Sequence, residues 1–208
     1  MAPDTRQRLL QAALEVLASE GIAGASARTI ATRADVNQAL IFYHYGSVDD
    51  LLAAAARSVS RQRADHYARQ LEEVGTFTAL AAQARRLHAE EHANGNLAVL
   101  VQLLAGAPRR PALGPALREN FDLLAAPVEA TIRRLLADSP LDGIIDATDL
   151  ASGVAGAFLG LQLLDGVVTD VEEGPFAALD ALAGVVDLAL EAGTIEKAVL
   201  RRRLRGTR

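Results

Sequence analysis

An all-α fold, with an N-terminal three-helix head and a larger six-helix C-terminal domain, follows from three features of this 208-residue sequence. Ala and Leu dominate while aromatics make up only 4% of residues, a balance that favours helices over strands. Apolar residues recur at steps of three and four along most of the chain. Gly, Pro and Asn-Gly breaks separate those periodic segments. Half the residues are hydrophobic, enough to build a sizeable core.

Each head element has its own local signal. Leu9, Leu10, Ala13, Leu14, Leu17 and Ala18 form the apolar stripe of a first helix over 6–20, and Gly21 is placed to end it. Ser26 is an N-cap for a second helix over 27–34. Asp35 marks a turn, Asn37 can cap a third helix running to about Tyr45, and Gly46-Ser47 stops that helix. Ser47 with Asp50, three residues on, reads as a capping box for the next helix. Long helices are then predicted over 48–73, 76–93, 96–106, 112–137, 147–168 and 175–203, with Pro127 expected to kink the one over 112–137.

The stretch ARTIATRADVNQALIFYHYGSVDDLL, from Ala27 to Leu52, has the pattern of a helix-turn-helix. Ala31 is small where two helices must touch, Asp35 tolerates the left-handed turn, and Val36 with Ile41 supplies an apolar clamp. Residues 6–52 resemble the DNA-binding head of the TetR family of bacterial transcriptional regulators, and the all-helical body fits that likeness. The resemblance implies a head over 1–47 and a ligand-binding, dimerising domain over 48–208. Three positions depart from the family pattern: Asp35 where Gly is common, Phe42 where Tyr is common, and Val48 where Lys is common. The last two remove a hydroxyl and a cation that would face phosphate.

In that geometry the third helix lies in the major groove with its start near base edges. Asn37, Gln38 and Ala39 occupy that start, and Gln bonds adenine bidentately. Arg28 can reach a guanine edge or a phosphate. Tyr43, His44 and Ser26 are expected to donate to phosphates, and Arg6 and Arg8 to precede the first helix and touch the DNA backbone. Ile41, Phe42 and Tyr45 are expected in the head core.

Net charge is −5, but 1–47 holds four Arg against four acids and the last eight residues hold five Arg. Local sign decides what a face attracts; the Arg201, Arg202, Arg203 and Arg205 run reads as a solvated tail.

The resemblance also implies a small-molecule effector and a homodimer formed through the helices at 147–168 and 175–203. Small residues from Ala151 to Gly160 suit close helix approach, and Phe176, Leu179, Leu182, Val186 and Leu190 make an apolar row. Candidate effector contacts are polar or aromatic groups set in apolar helices: His88, His92, Gln102, Asn120, Phe121 and Gln162, with Asp165 nearby. Gln102 is expected to be buried. His88 and His92 are one helical turn apart beside Glu91, a weak zinc pattern without HExxH; no metal and no cofactor are assigned. The sequence carries no nucleophile–base pair or phosphate loop, and the lack of cysteine excludes disulfides and thiolate sites. No apolar run approaches the roughly 18 residues of a membrane span, and no signal peptide is seen, so a cytoplasmic regulator without enzymatic activity is expected. The alternative reading is a helical metal- or ligand-binding protein, or an enzyme, whose head has lost DNA binding.

Overall fold

The computed structural model describes residues 4–94, 96–137, 139, 141–164 and 174–191. The side chains of 96–98 and of Gln162 also lie outside the described set, as do Asp165, the arginine tail and the predicted helix ends over 165–168 and 192–203. All regular elements among the described residues are helical: α1 (Thr5–Gly24), α2 (Ala27–Arg33), α3 (Ala39–Tyr45), α4 (Val48–Leu71), α5 (Phe77–Asn94), α6 (Asn96–Gly106), α7 (Gly114–Leu136), α8 (Ala147–Leu164) and α9 (Gly174–Glu191). Two short 3-10 turns, Ala107–Arg109 and Pro111–Leu113, join α6 to α7. The chain divides into two compact units, Met1–Arg63 with Asn94–Leu123 and Ala64–Ala93 with Leu124–Arg208.

In the first unit the head closes around Leu9, Ala13, Val16, Leu17, Ile30 and Ile41, all fully buried. Gly21 does not end α1 outright. It takes φ 66°, which only glycine adopts cheaply, and one more helical turn follows to Gly24. That turn carries Ile22 onto Gly106 of α6, where an added Cβ would fall 2.4 Å from the Ile22 Cδ1. Arg110 ties the segment after α6 to the head, donating to the Asp49 carboxylate at 3.0 Å and to the Ala25 carbonyl at 3.2 Å. Arg57 of α4 pairs with Glu119 of α7.

In the second unit, α7 stays one helix through Pro127, and the Thr131 hydroxyl donates to the Pro127 carbonyl at 3.0 Å. Arg134 stops α4 by donating to the carbonyls of Leu71, Glu72 and Val74 at 3.0, 2.5 and 2.9 Å, satisfying acceptors that a helix end leaves open. Tyr67, Phe158, His88 and Phe176 form a chain of ring contacts at 6.3, 5.6 and 5.2 Å. Phe176 also packs on Leu161, with Leu179 beside it.

Asp187 of α9 caps α5 across more than a hundred residues. It accepts from the Phe77 and Thr78 amides, both at 2.8 Å, and from the Thr78 hydroxyl at 2.6 Å. Burial pushes its carboxyl up, but these three donors outweigh burial and hold it below the usual carboxylate range. A group depressed in the folded state stabilises above its unfolded pKa, about 3.9, and loses that contribution as pH falls through the folded value. Thermal unfolding of Asp187→Asn should therefore show a shallower loss of stability below about pH 4 than the wild type. Asp187→Ala should cost about 1–3 kcal/mol at neutral pH, measured by urea unfolding; no change in midpoint would mean that Thr76, whose hydroxyl accepts from the Ala79 amide at 3.0 Å, caps α5 unaided.

Candidate nucleic-acid interface

The interface is built on how α2 and α3 are held. Ser26 has extended backbone and its hydroxyl accepts from the Thr29 amide at 3.1 Å, so the predicted N-cap of α2 is present. After α2 the Ala34 amide bonds the Ile30 carbonyl, and Asp35 turns the chain with φ 52°. The Val36 amide returns to the Ala31 carbonyl at 3.0 Å. Ala31 is 3% exposed where α2 meets the head core; a larger side chain there would separate the helices. Asn37 accepts from the Ala39 amide at 2.9 Å through its side chain and so starts α3.

Arg8 corrects one sequence expectation. Arg6 and Arg8 do not precede the first helix but lie within α1. The Arg8 guanidinium donates to the Ala34 carbonyl at 2.6 Å and the Asp35 carbonyl at 2.8 Å, with the Asp35 carboxylate 3.5 Å away. It holds the turn rather than reaching outward. Arg6 lies over the Tyr45 ring at 5.3 Å, and the Tyr45 hydroxyl donates to the Arg6 carbonyl at 2.8 Å. Burial raises the Tyr45 hydroxyl pKa beyond what the Arg6 interactions restore, so this donor keeps its proton across the physiological range.

The outward face of α3 carries Gln38, Ala39, Phe42 and Tyr43, with Asn37 exposed just ahead of it. Phe42 was expected in the core and is 52% exposed; Tyr43 is 81% exposed. The reason is helical geometry. Ile41 is fully buried, and the next residue is turned about 100° from it, which here carries Phe42 onto the solvent side. His44 is half-buried, edge-on to Tyr43 with ring centroids 5.0 Å apart. Arg28 is exposed and makes no hydrogen bond or ion pair with a described residue. The Ser26 hydroxyl is shared between its cap and the Thr29 hydroxyl, 2.8 Å away. After α3, Gly46 takes φ 84°, and Ser47 caps α4 by accepting from the Asp50 amide at 3.0 Å.

The profile for bacterial regulatory proteins of the tetR family matches residues 9–55, the span just described. The head over residues 9–55 is that of the TetR family. An uncharacterised HTH-type transcriptional regulator of Mycobacterium tuberculosis is 28% identical over 132 residues, 64% of this chain and 68% of that protein. The nicotine-responsive transcriptional repressor HdnoR of Paenarthrobacter nicotinovorans is 30% identical over 120 residues, 57% of this chain and 62% of that one. Among solved structures, the multidrug binding protein EbrR complexed with imidazole is 29% identical, with TM-score 0.61 over 87% of this chain and 96% of that chain. A TetR-family regulator from Mesorhizobium loti shares the fold at 23% identity and TM-score 0.66, over 87% of this chain and 96% of that one.

Of the candidate effector residues, Gln102, Asn120 and Phe121 belong to the first unit and His88 and His92 to the second. His88 is 2% exposed between the Phe158 and Phe176 rings, while His92 is exposed. Beside His88, fully buried Glu91 accepts from the Tyr67 hydroxyl at 3.0 Å. No group of three His, Cys, Asp or Glu among the described residues is placed to hold a metal ion. Gln102 is exposed, contrary to expectation. Among the described side chains of α6, Val99, Leu100, Leu103 and Gly106 are buried; Gln102 lines an open groove of about 240 Å³ with Ile22, Ala23, Ala105, Gly106, Arg109 and Arg110. Asn120 is fully buried and Phe121 half-buried. The sequence places Arg8 against the DNA backbone and not at the turn, and gives no role to Arg110 or Tyr67. Tyr67 carried a signal, since so few aromatics are present; the two arginines carried none for these contacts, because their acceptors lie far away in the sequence.

Proposed function

We propose that this TetR-family transcriptional regulator is a repressor that binds operator DNA as a homodimer and is released by a small-molecule effector. The observation that carries the reading is the solvent face of α3, where Gln38, Ala39, Phe42 and Tyr43 stand exposed on a helix whose turn is braced from behind. We assign 1–47 to DNA binding and 48–208 to effector binding and dimerisation. Gln38, Asn37 and Ala39 face base edges; Arg28 reaches a base edge or phosphate; Tyr43, His44 and Ser26 face phosphates. Phe42 joins them as an apolar contact to a thymine methyl or a sugar. Effector contacts are drawn from His88, His92, Gln102, Asn120, Phe121 and Gln162. The protein acts in the cytoplasm and is not an enzyme; no helix among the described residues is long and apolar enough to cross a membrane.

The dimer reading is supported by an uncovered apolar face. Leu182, Val185 and Leu188 on α9 are 64%, 64% and 69% exposed, and Leu163 and Leu164 on α8 are 57% and 44% exposed. A Cβ added at Gly153, Gly156 or Gly160 would meet nothing within 4 Å in the single chain, leaving room for a partner backbone. The outward row on α9 differs from the row expected from sequence, because Phe176 is turned inward onto Leu161.

A gel shift against DNA flanking the protein's own gene, repeated across a salt series, tests the base-reading residues. Arg28→Ala and Gln38→Ala should each cost about 1–3 kcal/mol of specific binding and much less of nonspecific binding. Equal losses on both DNAs would remove the base-reading assignment. Phe42→Ala should weaken specific binding without changing the salt slope, since no phosphate charge is involved.

A further inference from the structure

Asn120 is the one polar residue in the inward row Leu113, Leu117, Asn120 of the first unit. Both leucines are nearly sealed, at 1% and 2% exposure, and Asn120 is at 0%. Its Nδ2 and its Oδ1 are both buried without a hydrogen-bond partner. Buried polar side chains are nearly always satisfied, and an amide sealed from water with neither end paired is costly. Leucine would fill the same position without that cost. A sequence that keeps Asn here has a use for an amide edge at this depth.

The chemistry of the edge narrows what it can meet. A primary amide offers two donors on nitrogen and an acceptor on oxygen, side by side. A bare organic cation has no acceptor and would leave Nδ2 stranded. A bare carboxylate has no donor and would leave Oδ1 stranded. A group with a donor beside an acceptor pairs with both.

We propose that Asn120 is the polar anchor of the effector site, and that the effector presents a hydrogen-bond donor next to an acceptor, as in a carboxamide or lactam. This rests on the reading that the protein is effector-controlled. The effector's amide N–H donates to Oδ1 while its carbonyl accepts from Nδ2, and the apolar neighbours take the rest of the molecule.

The test uses the full-length protein and a matched set of small probes: benzamide, benzoate and benzylamine, with valeramide, valerate and pentylamine. Melting temperature and operator release are read for each. The amides should raise the melting temperature and release operator, and the acids and amines should not. Asn120→Leu should melt higher than the wild type, still bind operator, and bind the amides about 10–100-fold more weakly. If Asn120→Leu fails to fold, Asn120→Asp, which keeps the shape but loses the donor pair, should show the same loss of amide binding. Acids or amines acting as well as amides would overturn the proposal, as would a variant that responds like the wild type. If a wider compound library releases operator from wild type and Asn120→Leu alike, effector control stands and only the Asn120 assignment falls. If nothing releases the wild type, the regulatory reading falls with it.

Discussion

Val185→Asp combined with Leu188→Asp is expected to yield a monomer by sedimentation velocity and to weaken operator binding about 10²–10⁴-fold, the loss expected when two linked contacts become one. Both side chains are about two-thirds exposed in the single chain, so the subunit's own core does not need them. Large apolar side chains grouped on one face signal an interface. Fully burying a Val or Leu side chain stabilises by about 1.5–3 kcal/mol. A two-fold axis presents each position twice, so the double variant removes four such contributions and places four carboxylates at the contact. Uncompensated burial of that charge is what prevents association. In the proposed homodimer the two heads would meet half-sites one helical turn apart, about 34–36 Å, and a monomer would engage only one. Phe176→Ala is the informative contrast. That ring is 1% exposed against Leu161 and His88, so its loss should lower the melting temperature of the subunit itself. A double variant that remains dimeric with undiminished operator affinity would place the interface elsewhere.

The head was legible in the sequence because its constraints are local. The Ser26 cap, the small Ala31, the left-handed Asp35 and the Ser47–Asp50 pair each act within a few residues, and the structure has them in those roles. The order of the long helices was legible from their breaks. Which side of a helix faces inward was not always so. α6 is apolar on every side, so periodicity had no contrast from which to tell that Gln102 faces out. Phe42 reads as core because it is large and aromatic, yet α3 is so short that only its Ile41 side meets the head core and Phe42 stands outside it. Long-range polar contacts left no trace at all. Nothing near Asp187 in the sequence points to the Phe77 and Thr78 amides, and nothing near Arg8 points to carbonyls 26 and 27 residues away. Asn120 is the intermediate case: its setting among apolar residues flagged it, while its lack of partners could come only from the structure.

Arg8→Ala should cost the head about 1.5–3 kcal/mol, the range for hydrogen bonds made by a charged group, and should weaken specific operator binding about tenfold or more. The Arg8 Nη2 is shared by two carbonyls at the turn, one of them on Asp35, whose left-handed backbone is itself unfavourable by about 1–2 kcal/mol. The brace and the strain are therefore coupled: the arginine holds open a turn that this residue would rather not make. Removing the brace frees Asp35 to relax, and α3 moves with it, because the Val36 amide and the Asn37 cap set where α3 begins. Nonspecific binding, which needs positive charge but not register, should fall far less. Asp35→Gly separates the two contributions. It removes the carboxylate 3.5 Å from Arg8 but leaves both carbonyls in place and makes the left-handed turn inexpensive. It should keep operator binding and hold or raise the melting temperature. In the double variant, Asp35→Gly should then recover part of the binding lost in Arg8→Ala, since a turn without strain needs less bracing. If Arg8→Ala instead lowers specific and nonspecific binding equally, and Asp35→Gly restores neither, then Arg8 acts by meeting phosphate and not by holding the turn.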